Sequence, residues 1–481
     1  MMDVYVSKNL FSYDMQGMIQ AFFPMEKFQI HTPEKQIQTL ENKEEEKEPF
    51  SLSFWKDGKE IWKESFKHPD KNEVKRSIYL HLQDMTGISL PWGILTGVKP
   101  VKLARRMLEA GAGAEQTVQQ LKDYYLLSRE KAEQITEIGQ RELSLVEPLD
   151  LKEGVSIYIG IPFCPTICAY CSFSAYPIKQ YEDQVERYLQ ALKKELTYVA
   201  THLKGRKIHT VYIGGGTPSS LSEEQMEDLL SFVTEILPMD TVLEFTVEAG
   251  RPDSITLGKL KIMRKYGVHR ISVNPQTMNQ KTLDLLGRKH LVTEIQPVFY
   301  QARELGFQNI NMDLIVGLPE ESVADQQYSL QEVLAMDPDS VTVHTLVIKR
   351  ASHLRKQLLE NQEETAYSYN DTVLTMQDRS RDILKKAGYH PYYMYRQKNK
   401  ALSSFNSNQE NVAYAKPGKE CLYNILIMEE LETIIAVGSG GSTKFYDRGK
   451  DQIFRVENVK SVKDYVERLD EMIDRKRAFL G

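Results

Sequence analysis

Three of the four cysteines in this sequence fall in one short run, Cys164-Pro-Thr-Ile-Cys168-Ala-Tyr-Cys171, with C-x3-C-x2-C spacing. Cysteine thiolates are the usual ligands of iron–sulfur clusters, and a four-iron cubane takes one ligand on each iron. Three thiolates hold three irons and leave the fourth open. An open iron can bind a small molecule and pass it an electron. A structural zinc site closes instead with four ligands, often as two pairs. Here the next histidine is His202, across a long helical stretch, and the remaining cysteine is Cys421. The spacing therefore points to an open cluster rather than to zinc.

Such a loop needs rigid elements around it. From residue 150 the sequence alternates strands with helices. The strand candidates are 155–161, 209–213, 243–248, 270–276, 309–316 and 340–347. Between the first two, Leu189, Leu192, Leu196, Val199 and Leu203 share one stripe of a helix. Ser222 followed by Gln225 is a capping-box start for the next helix. Six β-then-α units imply a parallel sheet or partial barrel.

Parallel strands covered on both faces read as continuous apolar runs, and these do not. Glu244, Thr246 and Glu248 share a face. So do Ser272, Asn274 and Gln276, then Asn309, Asn311 and Asp313, then Ser340, Thr342 and His344. Helices outside and polar groups inside describe an open barrel that holds a polar ligand. The alternative is a set of polar groups that satisfy one another.

The sequence ahead of this core reads differently. Residues 1–70 form a small α/β unit, with a strand at 4–6, a helix at 15–23 and a hairpin turning at Asp57-Gly58. The charge-rich run 41–48 reads as a solvated loop. Residues 71–147 are helical, with helices at 101–110 and 128–145 and a break at Gly111 and Gly113. At 481 residues a single core is unexpected. A hydrophobic content of 41% and a charged content of 27% suit a globular chain. The net charge of -6 argues mildly against a nucleic-acid partner. No apolar stretch approaches a membrane span, and the start has no signal-peptide pattern. Few, clustered cysteines without a secretion signal suggest reduced thiols and a cytoplasmic location.

Several motifs then occur in a fixed order. They are Tyr158-Ile-Gly-Ile-Pro-Phe-Cys164 through Phe173, Gly214-Gly-Gly-Thr-Pro-Ser219, Phe245-Thr-Val-Glu248, Arg270-Ile-Ser-Val-Asn-Pro-Gln276, Leu285-Leu-Gly-Arg288-Lys-His290 and Asn311-Met-Asp313-Leu-Ile-Val-Gly-Leu-Pro319. Together they resemble the radical S-adenosylmethionine enzymes and, more narrowly, the oxygen-independent coproporphyrinogen III oxidase (coproporphyrinogen dehydrogenase) family. The front extension and the tail Lys416-Pro-Gly-Lys-Glu-Cys421 suggest its HemZ-like branch. The implied fold is α/β: a partial (βα)6 radical SAM barrel at 148–350, after an N-terminal α/β plus helical extension. A C-terminal α+β domain at 351–481 would cover the substrate.

The resemblance also implies roles. Cys164, Cys168 and Cys171 would ligate a [4Fe-4S] cluster. Tyr158, Tyr170, Gly215, Gly216, Thr217 and Glu248 would bind S-adenosylmethionine. Gln276, Arg288, Asp313 and, at the end of its strand, Val347 would contact a second molecule of it. The expected reaction is oxidative decarboxylation of two propionates of coproporphyrinogen III to vinyls. It begins with hydrogen abstraction by a 5′-deoxyadenosyl radical, fed by a low-potential donor of the flavodoxin or ferredoxin type. The catalytic residues themselves are unassigned. Arg350, Arg396 and Lys398 are candidates for the tetrapyrrole carboxylates by position alone, and Cys421 is a redox thiol or, more simply, a buried inert one. The sequence departs from the oxidases at Gly160, at Asn274-Pro275 and at Phe173, where they carry a further cysteine. The related haem chaperones keep the cluster motif with phenylalanine there, so a haem-binding protein is the alternative reading.

Overall fold

The computed structural model describes residues 2–23, 26, 28–33, 49–171, 174–203, 205–346, 364–396 and 410–480, with the side chains of the segment starting at 364 described from 371. Two compact units divide the chain, the first running to Gln140 and the second starting at Arg141, with short later segments, Arg396 among them, returning to the first. The run 41–48 and the candidates Val347, Arg350, Lys398 and Phe173 lie outside the described residues.

In the first unit, β1 (Met2–Val6) is followed by α1 (Ser12–Phe22), β2 (Phe28–His31), β3 (Phe50–Lys56), β4 (Lys59–Phe66) and α2 (Lys71–Thr86). The sheet order is β2-β1-β3-β4. The β3–β4 hairpin turns at Asp57 and Gly58, both at positive φ (53° and 75°), as a two-residue primed turn requires. Alternate residues Met2, Val4 and Val6 of β1 pack with Met15, Ile19 and Phe22 of α1 and Val74, Ile78 and Leu82 of α2. Strand β2 was not expected; at four half-buried or exposed residues it has no clear alternation. Helices α3 (Val101–Glu109), α4 (Ala114–Asp123) and α5 (Arg129–Val146) follow, with Gly111 at φ 93° in the break after α3.

The second unit is built on one sheet. Along the chain come β5 (Gly154–Ile161), β6 (Phe163–Cys164), β7 (Tyr176–Pro177), α6 (Glu182–Thr201), β8 (Lys207–Gly215), α7 (Glu223–Ile236), β9 (Glu244–Gly250), α8 (Leu257–Lys265), β10 (Arg270–Val273), α9 (Gln280–Leu285), α10 (Ile295–Glu304), β11 (Ile310–Val316), α11 (Val323–Ala335) and β12 (Ser340–Thr345). Then follow α12 (Glu364–Lys386), β13 (His390–Arg396), β14 (Glu410–Ala415), α13 (Leu422–Glu429), β15 (Thr433–Val437), β16 (Ser442–Asp447), β17 (Gln452–Glu457), α14 (Val462–Glu467) and α15 (Leu469–Leu480). The sheet order is β13-β14-β12-β11-β10-β9-β8-β5-β15-β16-β17. The six expected strands β5, β8, β9, β10, β11 and β12 are consecutive, and every pairing among them is parallel. This is the open (βα)6 arrangement, with β14 added antiparallel at one side and β15 parallel at the other.

Two boundaries differ from expectation for identifiable reasons. Helix α6 begins at Glu182, ahead of the stripe that starts at Leu189, and Glu182 and Asp183 there complement the helix dipole. Strand β10 stops at Val273 rather than 276. Pro275 has no N–H for a ladder, and Gln276 takes φ 70°. The capping box at Ser222 is present in full.

The two faces of the parallel strands have different fates. Val155, Ile157 and Ile159, Val211 and Ile213, Phe245 and Val247, Met312 and Leu314 all point to one face and are buried. On the opposite face Arg270 donates to Asn309 Oδ1 (2.5 Å), Ser340 Oγ (2.7 Å) and the Lys419 carbonyl (3.0 Å). Asn311 Oδ1 accepts from Ser340 Oγ (2.9 Å) and Thr342 Oγ1 (3.1 Å). Glu244 accepts from the backbone N–H of Leu422 (2.8 Å) and Tyr423 (3.3 Å) and from Cys421 Sγ (3.3 Å). A carboxylate of β9 thus caps the start of α13. Part of the polar face is therefore internally satisfied. Thr246 Oγ1, Ser272 Oγ and Asn274 Oδ1, by contrast, are buried without a hydrogen-bond partner.

Beside the parallel array, Glu195 of α6 anchors later elements. Its carboxylate accepts from Lys476 Nζ (2.7 Å), Asn458 Nδ2 (2.9 Å), Tyr465 OH (2.5 Å) and Gly438 N (2.8 Å). Both side chains of the Lys476–Glu195 pair are fully buried. Removing one charge strands the other, at a cost of about 3–5 kcal/mol. Lys476→Met should therefore lower the stability read by chemical denaturation by that order, and Glu195→Gln in the same chain should recover part of the loss.

Candidate functional site

The cysteine loop leaves β5 at the carboxyl end of the parallel strands, where α/β sheets gather their sites. Short strand β6, which contains Cys164, pairs with β7, and Tyr176 N donates to the Pro162 carbonyl (2.8 Å). The turn after β8 is stitched to the same segment. Gly216 N reaches the Ile161 carbonyl (2.8 Å) and Thr217 N the Phe163 carbonyl (2.7 Å). A Cβ on Gly216 would lie 2.5 Å from the Phe163 carbonyl oxygen and 3.0 Å from Cys164 Sγ. Only glycine permits that approach. Thr217 Oγ1 donates to Cys164 Sγ at 3.4 Å. Burial pushes the Cys164 thiol up to about 11, so the bare thiol keeps its proton and metal coordination is what would remove it.

Two buried guanidiniums hold the rest of the loop. Arg288 Nη1 donates to Tyr170 OH (2.9 Å) and approaches Cys168 Sγ (3.9 Å), and its Nη2 donates to the Asn274 carbonyl (2.9 Å). Its Nε is buried and unpartnered. Cys171 N closes a turn onto the Cys168 carbonyl (3.0 Å), and Ala169 N is held by the Leu286 carbonyl (3.0 Å). Arg251 Nη1 donates to Thr166, within the loop, at Oγ1 (2.6 Å) and at the carbonyl (3.3 Å). His290 is buried close by. Burial, and then Arg288, bring its pKa down to about 4, so it adds no third cation at neutral pH.

On the polar face of the sheet, Glu248 is the central group. Its Oε1 accepts from Tyr212 OH (2.5 Å) and its Oε2 from Gly215 N (3.3 Å). Burial raises its pKa, and the Tyr212 hydrogen bond opposes the rise. A Cβ on Gly214 would meet the Tyr212 ring at 2.8 Å and the Glu248 carboxyl at 2.9 Å. Tyr212 stacks on Tyr423 (ring centroids 4.4 Å), and Tyr158 lies 6.2 Å from each. Further along, Gln276 N donates to the Asp313 carbonyl (2.9 Å). The Asp313 carboxylate accepts from Asn311 Nδ2 (2.7 Å) and lies 3.7 Å from His344 Nε2. Burial alone would raise its pKa, but His344 and the hydrogen bonds from Asn311 and Thr342 outweigh that and lower it.

The fold thus gathers the expected residues into three linked groups: Cys164 with Gly215, Gly216 and Thr217; Cys168 and Cys171 with Tyr170 and Arg288; and Tyr158 with Glu248 on the polar face. Gln276 and Asp313 adjoin each other. Arg396 belongs to the first unit, where it lies over Trp92 (4.5 Å) and donates to the Leu95 carbonyl (2.6 Å). Cys421 is buried, and its thiol is a donor to Glu244 with its pKa pushed well up by burial; both features fit the inert reading. Three residues went unread in the sequence. Tyr212 shares the alternating face of Tyr158 and could have been found. Tyr423 arrives from a distant helix. Arg251 sits in a loop, where only its buried position reveals a role.

Among the described residues, no three His, Cys, Asp or Glu side chains converge on a single metal ion. The donor set of three thiols, the glycine cradle beside Cys164 and the cation beside Cys168 suit a cluster that takes one thiolate per iron. No helix among the described residues is long and apolar enough to cross a membrane.

The Radical SAM superfamily model matches residues 158–332. The oxygen-independent coproporphyrinogen-III oxidase-like protein HemZ of Bacillus subtilis (strain 168) is 43% identical over 423 residues, 87% of this chain and 82% of that protein. The heme chaperone HemW of the same organism is 38% identical over 195 residues, 40% of this chain and 51% of its own. The solved structure of coproporphyrinogen III oxidase (HemN) from Escherichia coli superposes with a TM-score of 0.53 at 21% identity, covering 69% of this chain and 73% of that one, a likeness of fold. The chain belongs to the radical SAM superfamily and, within it, to the family of HemZ-like coproporphyrinogen oxidase-like proteins.

Proposed function

We propose that this protein oxidatively decarboxylates coproporphyrinogen III to protoporphyrinogen IX in porphyrin biosynthesis. The observation that carries the reading is its 43% identity, over 87% of the chain, to a protein named as oxygen-independent coproporphyrinogen-III oxidase-like. Cys164, Cys168 and Cys171 would hold a [4Fe-4S] cluster and leave one iron for S-adenosylmethionine. Bound there, the two would supply hydrogen-atom abstraction through one-electron cleavage of the sulfonium. A low-potential donor of the flavodoxin or ferredoxin type would provide the electron.

The chain's own residues bind and orient. Glu248, fixed by Tyr212 and Gly215, presents a carboxylate to an ammonium or hydroxyl group. The bare Cα of Gly216 lets the β8 turn pack directly on the Phe163 carbonyl beside Cys164. Tyr158 and Tyr170 offer ring surface. Asp313, held ionised, and the neighbouring Gln276 would form a second binding region, and Arg288 Nε is a buried donor without a partner. Thr246, Ser272 and Asn274 carry buried polar atoms that a ligand or water must satisfy.

A haem chaperone that retains the cluster is the second reading. It is favoured by the similarity to HemW and by phenylalanine at 173. An anaerobic assay of cluster-reconstituted protein with S-adenosylmethionine, dithionite and coproporphyrinogen III separates the two. Protoporphyrinogen and 5′-deoxyadenosine should form together, and Cys168→Ser should lose both. An intact cluster with haem binding and neither product would transfer the assignment to the chaperone.

The raised pKa of Glu248 gives a further expectation. The carboxylate that accepts the cofactor's donors exists only above that pKa. Affinity for S-adenosylmethionine, measured anaerobically by calorimetry, should therefore fall with acidification at a higher pH than an ordinary glutamate would set. Glu248→Gln should weaken binding and flatten that dependence.

A further inference from the structure

Arg251 is a buried cation that the reaction above leaves without a role. It follows β9 and is 3% exposed. Pro252 opens a 3-10 turn, Pro252–Ser254, which brings Asp253 against the same guanidinium. Arg251 Nε and Nη2 donate to Asp253 Oδ1 (2.9 Å) and Oδ2 (2.6 Å). Nη1 points the other way, to Thr166 Oγ1 and its carbonyl. Ser254 Oγ adds a bond to the Arg251 carbonyl (2.8 Å). The ion pair is thus oriented, with its positive end on the cysteine loop and its negative end behind.

Thr166 stands midway between Cys164 and Cys168, so this contact fixes the stretch that spaces two of the thiols. Arg288 meets the same loop at Cys168 and Tyr170. Two buried guanidiniums therefore meet the cysteine loop, one at Thr166 and one at Cys168 and Tyr170. A lysine could not reproduce the forked contact to Asp253 and Thr166 together. Three thiolates outweigh the 2+ charge of an oxidised four-iron core and leave the site net negative, and an added electron makes it more so. Nearby positive charge favours the reduced state, and weak internal screening extends its reach.

We propose that Arg251 is a positioning residue for the cysteine loop and, with Arg288, sets the potential at which the bound cluster accepts its electron. This rests on the three cysteines holding a cluster.

The test uses the full chain, reconstituted anaerobically with iron and sulfide, as wild type, Arg251→Gln and Asp253→Asn. Iron and acid-labile sulfide are counted first. The midpoint is then read by electron paramagnetic resonance in a mediated dithionite titration without S-adenosylmethionine or substrate. In Arg251→Gln the reduced-to-oxidised ratio at the wild-type midpoint should fall roughly tenfold, about 59 mV for a one-electron couple. Asp253→Asn leaves the guanidinium uncompensated, so its midpoint should rise. A purely structural role would not give shifts of opposite sign. If Arg251→Gln fails to retain a cluster, the upward shift in Asp253→Asn carries the test. Midpoints that stay at the wild-type value, or move together, overturn the proposal. A wild type that assembles no [4Fe-4S] cluster overturns the cluster reading beneath it instead.

Discussion

The carboxylate of Glu244 holds the polar side of the sheet together. It sits on β9, where a parallel strand would ordinarily carry an apolar residue, and it accepts three donors from the start of α13. Charge-assisted bonds of this kind are about twice as strong as neutral ones. The docking fixes where Tyr423 falls. Tyr423 then stacks on Tyr212, whose hydroxyl holds Glu248. A buried charge at the amino end of β9 is thereby linked, through one helix and two rings, to the carboxylate at the strand's other end.

The cysteine loop depends on a different kind of support. Tyr170 has an apolar seat on Leu286, Ile315, Leu318 and Leu346, but the cysteines' neighbours are held by polar bonds. Backbone bonds to the β8 turn hold its first cysteine, and two guanidiniums hold the stretch beyond. The glycines of the turn have an equally specific purpose: Gly216 keeps the space beside Cys164 free of a side chain. Directional bonds and the apolar seat of Tyr170 thus act together on the loop.

Much of this was legible in the sequence. The six strands of the parallel array were readable from alternation, because their apolar faces bury against helices while the other face stays polar. The hairpin at Asp57-Gly58 and the cap at Ser222 follow from local chemistry. The end of β10 was not readable from periodicity alone, since the alternation of Ser272, Asn274 and Gln276 runs on past Val273, where the strand stops. Residues whose meaning depends on distant segments were hidden. Tyr423 becomes part of the Glu248 cluster only when α13 reaches β9. Arg251 looks like a loop cation until its burial is seen. Alternation alone does not divide the polar face, where Arg270, Asn311 and Glu244 have partners while Thr246, Ser272 and Asn274 carry buried polar atoms that have none.

The Glu195 knot has a consequence for how the molecule is made. Glu195 and Lys476 lie 281 positions apart, and β15 pairs with β5 across a comparable stretch of chain. Contacts of such long sequence separation form late. During synthesis on the ribosome, the strand that carries the cysteine loop must wait with one edge open until β15 is released. Iron delivered before that moment would meet a half-built cradle, so a cluster held by the three cysteines would be completed on the folded chain.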